Sequence, residues 1–219
     1  IEAPPGSFDS KKAILMDFRC DQSRGIHFIY ILPFSDRNAL VESTMFSQNR
    51  EPDTFFETAI ETYLDQYLEI CDFSVIRVEK GGIPLGRLPL NKGVNNGIGG
   101  NGDAIRPSSG YAFAFIQKQI SETIQHAKYK KKNGNISSPL VITRPHKLVD
   151  LWMDEVLVTV LSLRPETAPE LFLRMAKAID GDEFSLFLSG EAGWWIRLKI
   201  VMAMPKLIFI KALVYLLTK

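Results

Sequence analysis

The chain has 219 residues, of which 46% are hydrophobic and 23% charged, and its net charge is +1. That length and composition exclude a disordered chain and describe a globular one that buries most of its apolar surface without covalent staples. The near-neutral balance excludes any general electrostatic attraction to nucleic acid or to acidic partners.

The chain opens Ile1-Glu2-Ala3-Pro4-Pro5, with neither an initiator Met nor the basic start and apolar stretch of a signal peptide, so it is expected to begin inside a longer protein. Runs at 13–18, 26–32 and 38–46 are rich in Ile, Val, Phe and Tyr and are separated by turn residues, which predicts an antiparallel meander. A helix follows: Thr54 and Glu57 have capping-box spacing, and Phe56, Ile60, Tyr63, Leu64 and Tyr67 repeat with helical period. Two further short strands are expected at 73–78 and around 83–85. A glycine-rich stretch, Gly93, Gly97, Gly99, Gly100 and Gly102, runs into Pro107-Ser108-Ser109-Gly110, where a second helix is expected to begin. That helix would carry Phe113, Ile116, Ile120 and Ile124 on one face and end in Lys128, Lys130, Lys131 and Lys132, a run read as a solvated helix end.

A polar loop is expected over 131–146, and from Lys147 onward the pattern is helical. Leu148, Trp152 and Val156 share one face; Thr167 and Glu170 have capping-box spacing; Leu171, Phe172, Met175 and Ile179 follow in step. The tail, 194–217, is strongly apolar, but Arg197, Lys199, Pro205, Lys206 and Lys211 interrupt the roughly 20 apolar residues that a membrane span needs. It reads either as a docked helix pair or as an interfacial segment with Trp194, Trp195 and Phe209 at a membrane surface. The expected organisation is a sheet part with one helix (1–90), a glycine-rich block with its helix (91–130) and a helical region (147–219). Cys20 and Cys71 form no C-x-x-C pair and the three histidines show no ligand spacing, so no metal is expected and a reducing compartment suits the count.

The densest chemical signal is the glycine block. Gly99, Gly100 and Gly102 would let a bulky ligand approach the backbone, and Asp103 adds one carboxylate. Pro107, Ser108, Ser109 and Gly110 would open a helix whose free N–H groups and positive dipole face an anionic group. An ordinary loop before a capped helix is the alternative. The order of these features resembles the second flavin-contacting motif of large Rossmann-type FAD proteins; the first, G-x-G-x-x-G after an opening strand, is absent from this sequence.

Met16-Asp17-Phe18-Arg19, the run 28–35 (Phe-Ile-Tyr-Ile-Leu-Pro-Phe-Ser), Leu40-Val41-Glu42-Ser43-Thr44, the run 79–86 (Glu-Lys-Gly-Gly-Ile-Pro-Leu-Gly) and the glycine block occur in that order, and 169–173 and 187–191 extend the pattern into the helical tail. Together they resemble the lycopene cyclase family, nearer its bacterial branch. The resemblance implies an α+β or α/β fold: part of an FAD/NAD(P)-binding Rossmann-type protein with an antiparallel substrate-domain sheet and a C-terminal helical region. It implies reduced FAD as cofactor, a lipophilic polyene (lycopene or a related carotenoid) as substrate, and a redox-neutral cyclisation to ionone rings in carotenoid biosynthesis, by an intramolecular lyase or isomerase. A peripheral place on the cytoplasmic side of a bacterial membrane goes with it. The family often has two adjacent acids where this chain has Glu42-Ser43, and a glycine pair where it has Gly86-Arg87. Glu42 is therefore the expected proton donor, since burial in an apolar strand raises a carboxyl pKa and keeps the acid protonated. Asp17 and Glu79 are further catalytic candidates, with an Asp17–Arg19 salt bridge and a solvated strand end as their ordinary alternatives. Phe28, Tyr30, Phe34 and Phe46 are candidates for steadying a cation or, more simply, for core packing. Without the first glycine fingerprint the sequence alone is expected to bind FAD weakly and to be inactive. An FAD-dependent hydroxylase or reductase of a lipophilic substrate, and a non-catalytic lipid-binding protein, are the competing functions.

Overall fold

A computed structural model describes residues 1–83, 85, 97–133 and 142–218. They fold as a mixed α and β chain of two compact units, Ile1–Gly81 and Gly82–Lys219. The described residues contain no parallel sheet, so the Rossmann-type core that the resemblance implies is not among them.

The first unit is a three-stranded antiparallel meander, β1 (Ile14–Asp17), β2 (Ile26–Pro33) and β3 (Ala39–Phe46), in the order β1-β2-β3. The three predicted runs are these strands to within one residue at each β2 and β3 end. β1 pairs Ile14 with Ile31 and Asp17 with Ile29, so three steps on one strand oppose two on the other; the bulge places Met16 at φ 51°. Alternation gives the sheet two faces. One face buries Ile29, Ile31 and Ala39 against Tyr63 and Leu64 of helix α1 (Asp53–Leu68), with Val41 and Ile60 packed at the margin. The other face carries Phe28, Tyr30, Leu32, Leu40, Glu42 and Thr44.

Helix α1 begins one residue ahead of Thr54. Pro52 is its N-cap at φ −65° and no side chain caps it, so the Thr54–Glu57 box is not formed. The strand expected at 73–78 is reduced, among the described residues, to a single bridge between Ser74 and Glu2, and Val75, Ile76 and Val78 are exposed. Ile83 and Leu85 have no regular structure; Pro84, Gly86 and Arg87 lie outside the described residues, as do Gly93 and the stretch 134–141 of the expected polar loop.

The second unit contains α2 (Phe113–Lys132), α3 (Leu148–Leu163), α4 (Ala168–Ala178), α5 (Gly181–Leu188), α6 (Trp194–Ala203) and α7 (Lys206–Thr218). α3 packs on α7, and α6 on α4 and α5. The buried positions differ from those expected. On α2 they are Phe115, Gln119 and Thr123, while Phe113, Ile120 and Ile124 are exposed. On α3, Val156 is buried, but Leu148 and Trp152 are exposed and Asp150 and Asp154 take the interior. Thr167 does not cap α4: a 3₁₀ turn, Pro165–Thr167, runs directly into that helix, and the Thr167 hydroxyl donates back to the Arg164 carbonyl at 2.7 Å. The capping box is instead at Asp180 and Glu183 of α5, where the Glu183 amide donates to Asp180 at 2.8 Å.

Candidate active site

Cross-strand pairing sets the environment of Glu42. It lies opposite Tyr30, with Phe28 and Leu32 on the diagonals and Leu40 and Thr44 two residues away on its own strand. Phe28 is fully buried and meets Tyr30 and Phe46 edge to face at 5.2 Å and Phe18 at 5.5 Å. Leu32 and Leu40, which face each other across the two strands, are half exposed, so the face is apolar and open on that side of the acid. Phe34, beyond the end of β2, is exposed. Glu42 itself is exposed, not buried as expected; the Thr44 hydroxyl donates to its Oε1 at 2.5 Å, and no ion pair reaches it among the described residues. Burial, and then the charge of Glu42, push the Tyr30 hydroxyl up to about 12, so it keeps its proton.

Ser43, where the family often has its second acid, faces the other way. Its hydroxyl lies 2.8 Å from His27 Nε2 on the helix side of the sheet. The departure at 43 thus leaves the acid content of the Glu42 face unchanged.

Asp17 is not brought to Glu42. Its carboxylate receives Arg19 Nη2 at 2.6 Å and the Tyr63 hydroxyl of α1 at 2.5 Å, on the opposite side of the sheet. Burial pushes its carboxyl up, but the hydrogen bonds from Arg19 and Tyr63 together outweigh this and hold it below the usual carboxylate range. Arg19 also lies over the Tyr67 ring at 4.5 Å. A groove of about 690 Å³ on this side is lined by Arg19, Arg24, His27, Phe55 and Tyr67 among others. Arg19 and Arg24 are already engaged there by Asp17 and Glu51. Glu79 sits in the irregular segment after α1, exposed and paired with Arg77 at 2.7 Å. Of the three expected catalytic acids, only Glu42 stands on the open apolar face.

The glycine block closes on itself. A Cβ at Gly97 would lie 2.3 Å from the Asn101 carbonyl oxygen, and one at Gly102 would lie 2.2 Å from the Gly97 oxygen. Gly99 adopts φ 71° and a Cβ at Gly100 would crowd Ile105, so internal packing accounts for all four. Gln119 of α2, fully buried, ties the loop by accepting from the Gly99 amide at 2.8 Å and donating to the Gly102 carbonyl at 2.6 Å.

The segment after Asp103 also differs from expectation. Pro107, Ser108 and Ser109 form a turn closed by the Gly110 amide on the Arg106 carbonyl at 2.9 Å, with Gly110 at φ 71°, so the helix starts only at Phe113. Ser108 is buried and donates to Asp154 Oδ1 at 2.8 Å, which commits it to the protein interior. Ser109 accepts from the Tyr111 amide at 3.3 Å.

Two buried ion pairs, which hydrophobic periodicity does not predict, hold this unit. Arg106 grips Asp154 with three N···O distances of 3.1 Å, donates also to the Phe187 carbonyl, and lies 4.4 Å over the Phe187 ring. Arg197 grips Asp150 at 2.9 and 3.0 Å and donates to the Ala192 carbonyl. The signal was present as two aspartates four residues apart, on one face of a largely apolar helix. Nearby, the His146 ring lies tilted against Phe115 at 4.1 Å and its buried Nε2 has no hydrogen-bond partner among the described residues; burial pushes its pKa down, against the opposing pull of Asp103 and Asp154.

What remains to serve a cofactor is narrower than expected but chemically coherent. Asp103 adopts φ 62° at the end of the 3₁₀ turn Gly99–Gly102 and makes no ion pair among the described residues. The first amides of α2 have no side-chain cap. An unpaired carboxylate and an uncapped helix start fit a ligand carrying hydroxyl and phosphate groups.

A family model described as lycopene cyclase protein matches residues 1–209. No curated protein and no solved structure matches significantly.

Proposed function

The chain belongs to the lycopene cyclase family, and from that premise we propose that Glu42 starts an acid-catalysed closure of carotenoid ends on the open face of the sheet. The observation that carries the reading is the position of Glu42: in no ion pair among the described residues, next to the Leu32–Leu40 cross-strand pair, beside the Phe18–Phe28–Tyr30–Phe46 cluster, on the face turned away from α1.

A carboxyl exposed to water is a weak donor to a carbon atom. A polyene lying on Leu32 and Leu40 would cover it, so that the substrate itself removes the water and favours the protonated acid. The proton passes from Glu42 to the terminal double bond, forming a C–H bond and leaving a tertiary cation. The next double bond attacks that cation, closing the ring and moving the positive charge onto it, and loss of a neighbouring proton restores an alkene. One proton enters, one leaves, and no electrons are transferred. The ring faces of the aromatic cluster are suited to steady the passing cation. Reduced FAD, when bound, would supply negative charge that stabilises a cation. Asp103 and the start of α2 are the groups we assign to its hydroxyl- and phosphate-bearing arm.

A membrane surface is proposed as a partner on the strength of the tail. No helix among the described residues is long and apolar enough to cross a membrane by itself; α6 and α7 together pass that test but are bent by 106°. Trp194, Trp195, Met202, Leu207, Ile210 and Leu217 are exposed on them. The basic residues of the tail are largely engaged: Arg197 binds Asp150, Lys199 binds Glu183, and Lys206 caps carbonyls at the end of α6. Apolar insertion rather than charge should dominate, so detergent and not high salt should release the full-length protein from membranes.

The test of the catalytic reading is Glu42→Gln in the full-length protein, assayed anaerobically for lycopene conversion with reduced FAD. Positioned acid catalysis is typically worth about 10²–10⁴-fold, and a loss of that size is expected with flavin content and thermal midpoint retained. Near-normal conversion would remove Glu42 as the acid.

A further inference from the structure

We infer that Thr44 is a positioning residue for the Glu42 acid: its hydroxyl holds Oε1, so that Oε2 is the oxygen that carries and delivers the proton. The inference rests on the reading of Glu42 as the proton donor. Thr44 and Glu42 are two residues apart on β3 and therefore share a face, with Thr44 Oγ1 2.5 Å from Glu42 Oε1. A protonated carboxyl has one oxygen that accepts and one that bears hydrogen. A hydroxyl donating to Oε1 assigns the accepting role to that oxygen and the hydrogen to Oε2.

The clamp is needed because no other hydrogen bond or ion pair restrains Glu42 among the described residues. It is exposed, its side chain has three rotatable bonds, and its cross-strand neighbour Tyr30 and diagonal neighbours Phe28 and Leu32 present mainly apolar surface. Thr44 suits this role because a β-branched side chain has few χ1 choices in a strand, so its hydroxyl is already placed. The adjacent hydroxyl, Ser43, cannot replace it, because it lies on the other side of the sheet at 2.8 Å from His27. Held at Oε1, the acid presents one defined oxygen to the double bond; released, it spends part of its time turned away. The consequence falls on the chemical step and not on substrate binding.

The experiment compares Thr44→Val, Thr44→Ser and Glu42→Gln in the full-length protein with reduced FAD and lycopene in detergent micelles, measuring kcat, KM, flavin content and thermal midpoint. Valine keeps the branched shape and loses the hydroxyl. Its kcat should fall roughly 3- to 10-fold, the equivalent of one hydrogen bond, with KM and flavin content unchanged. Serine restores the hydroxyl and should recover most of that loss. If Thr44→Val keeps kcat within about twofold while Glu42→Gln is inactive, the positioning role is wrong and the acid stands. If serine loses as much as valine, side-chain shape and not the hydroxyl is responsible, which also overturns the inference. Active Glu42→Gln would overturn the acid reading and this inference with it.

Discussion

The two units hold their charged groups in opposite ways. In the sheet unit the fold rests on an apolar layer, Ile29, Ile31, Ala39, Tyr63 and Leu64, and pairs such as Lys80–Glu57 and Arg77–Glu79 lie at the surface. Exposed pairs of that kind contribute little, because water and salt screen them. In the helical unit, Asp150 and Asp154 sit with Arg197 and Arg106 at 5% exposure or less. Breaking a buried pair leaves a desolvated charge without its counter-ion. The contrast separates carboxylates that hold structure from one that is free for chemistry: the helical unit has consumed its central acids, while the sheet unit, whose core needs none, leaves Glu42 on an open face.

The largest effect expected from this contrast is structural. Asp154→Ala strands Arg106 in the interior and also deprives Ser108 of its acceptor, so the helical unit should lose about 3–5 kcal/mol, read as a large fall in its thermal midpoint. Glu42→Gln, measured beside it, should leave the midpoint of the sheet unit unmoved. Equal midpoints for both variants would break the distinction between structural and available acids.

Asp103 is the exception that sharpens the comparison, an acid of the helical unit in no ion pair among the described residues. If it serves the cofactor and not the fold, Asp103→Ala should weaken FAD binding to the full-length protein by about 1.5–3 kcal/mol while stability changes little. Unchanged FAD affinity, by fluorescence titration, would take Asp103 out of the site.

The sheet was legible in the sequence because β2 and β3 alternate against one core face, and the same alternation puts Glu42 on the other face. Its exposure was not legible, since a period of two assigns a face without saying what covers it. The helix faces of α2 and α3 were misread for one reason. Periodicity counts apolar residues, and here the interior positions include Gln119, Asp150 and Asp154, each made burial-tolerant by partners distant in sequence: the Gly99–Gly102 backbone, Arg197 and Arg106. The glycine block was recognised, but its glycines are explained by the loop closing on itself. Ser108 was drawn away by Asp154, 46 residues later in the chain, a contact that no local motif encodes. The capping boxes show the same limit. Thr54 and Thr167 had the spacing without the extended backbone a cap requires, whereas Asp180 had both.

A smaller effect tests whether the sheet unit is free of structural acids. Asp17 is its nearest approach to one, tied to α1 through the Tyr63 hydroxyl at 2.5 Å. Tyr63→Phe removes that donor from a buried position and should cost about 1–2 kcal/mol, discounted because Arg19 is exposed and continues to serve the carboxylate. A carboxyl held below its ordinary pKa adds stability that is present above that ordinary value and is lost as pH falls through the lowered one. The variant should therefore also lose less on acidification below about pH 4, where Asp17 titrates when unfolded. A loss as large as that of Asp154→Ala would mean that the sheet unit, too, depends on a buried acid.

The smallest effect concerns histidine, of which each unit holds one whose pKa burial lowers. His27 is fully buried; its Nδ1 lies 3.1 Å from the Asp21 carbonyl and its Nε2 2.8 Å from the Ser43 hydroxyl. With Nδ1 donating to the carbonyl, Nε2 accepts from the serine, and the neutral ring has both nitrogens satisfied. Burial lowers its pKa, and the Asp21 carbonyl and charge oppose this without reversing it. The sign follows: a folded pKa below the unfolded value means that the unfolded chain takes up the proton first. Stability from His27 is complete above the ordinary histidine value of about 6.5 and is lost as pH falls toward the lowered one. One proton contributes a slope of at most about 1.4 kcal/mol per pH unit, so the whole effect is modest. His146 in the helical unit should act in the same direction, since burial is its leading cause as well. Denaturant midpoints at pH 7.5 and 5.5 separate the two. His27→Gln should flatten the acid loss of the sheet unit and leave that of the helical unit, and His146→Gln should do the reverse. If His27→Gln leaves the sheet unit's acid loss unaltered, some other group titrates there, and the neutral His27–Ser43 contact has no part in its pH dependence.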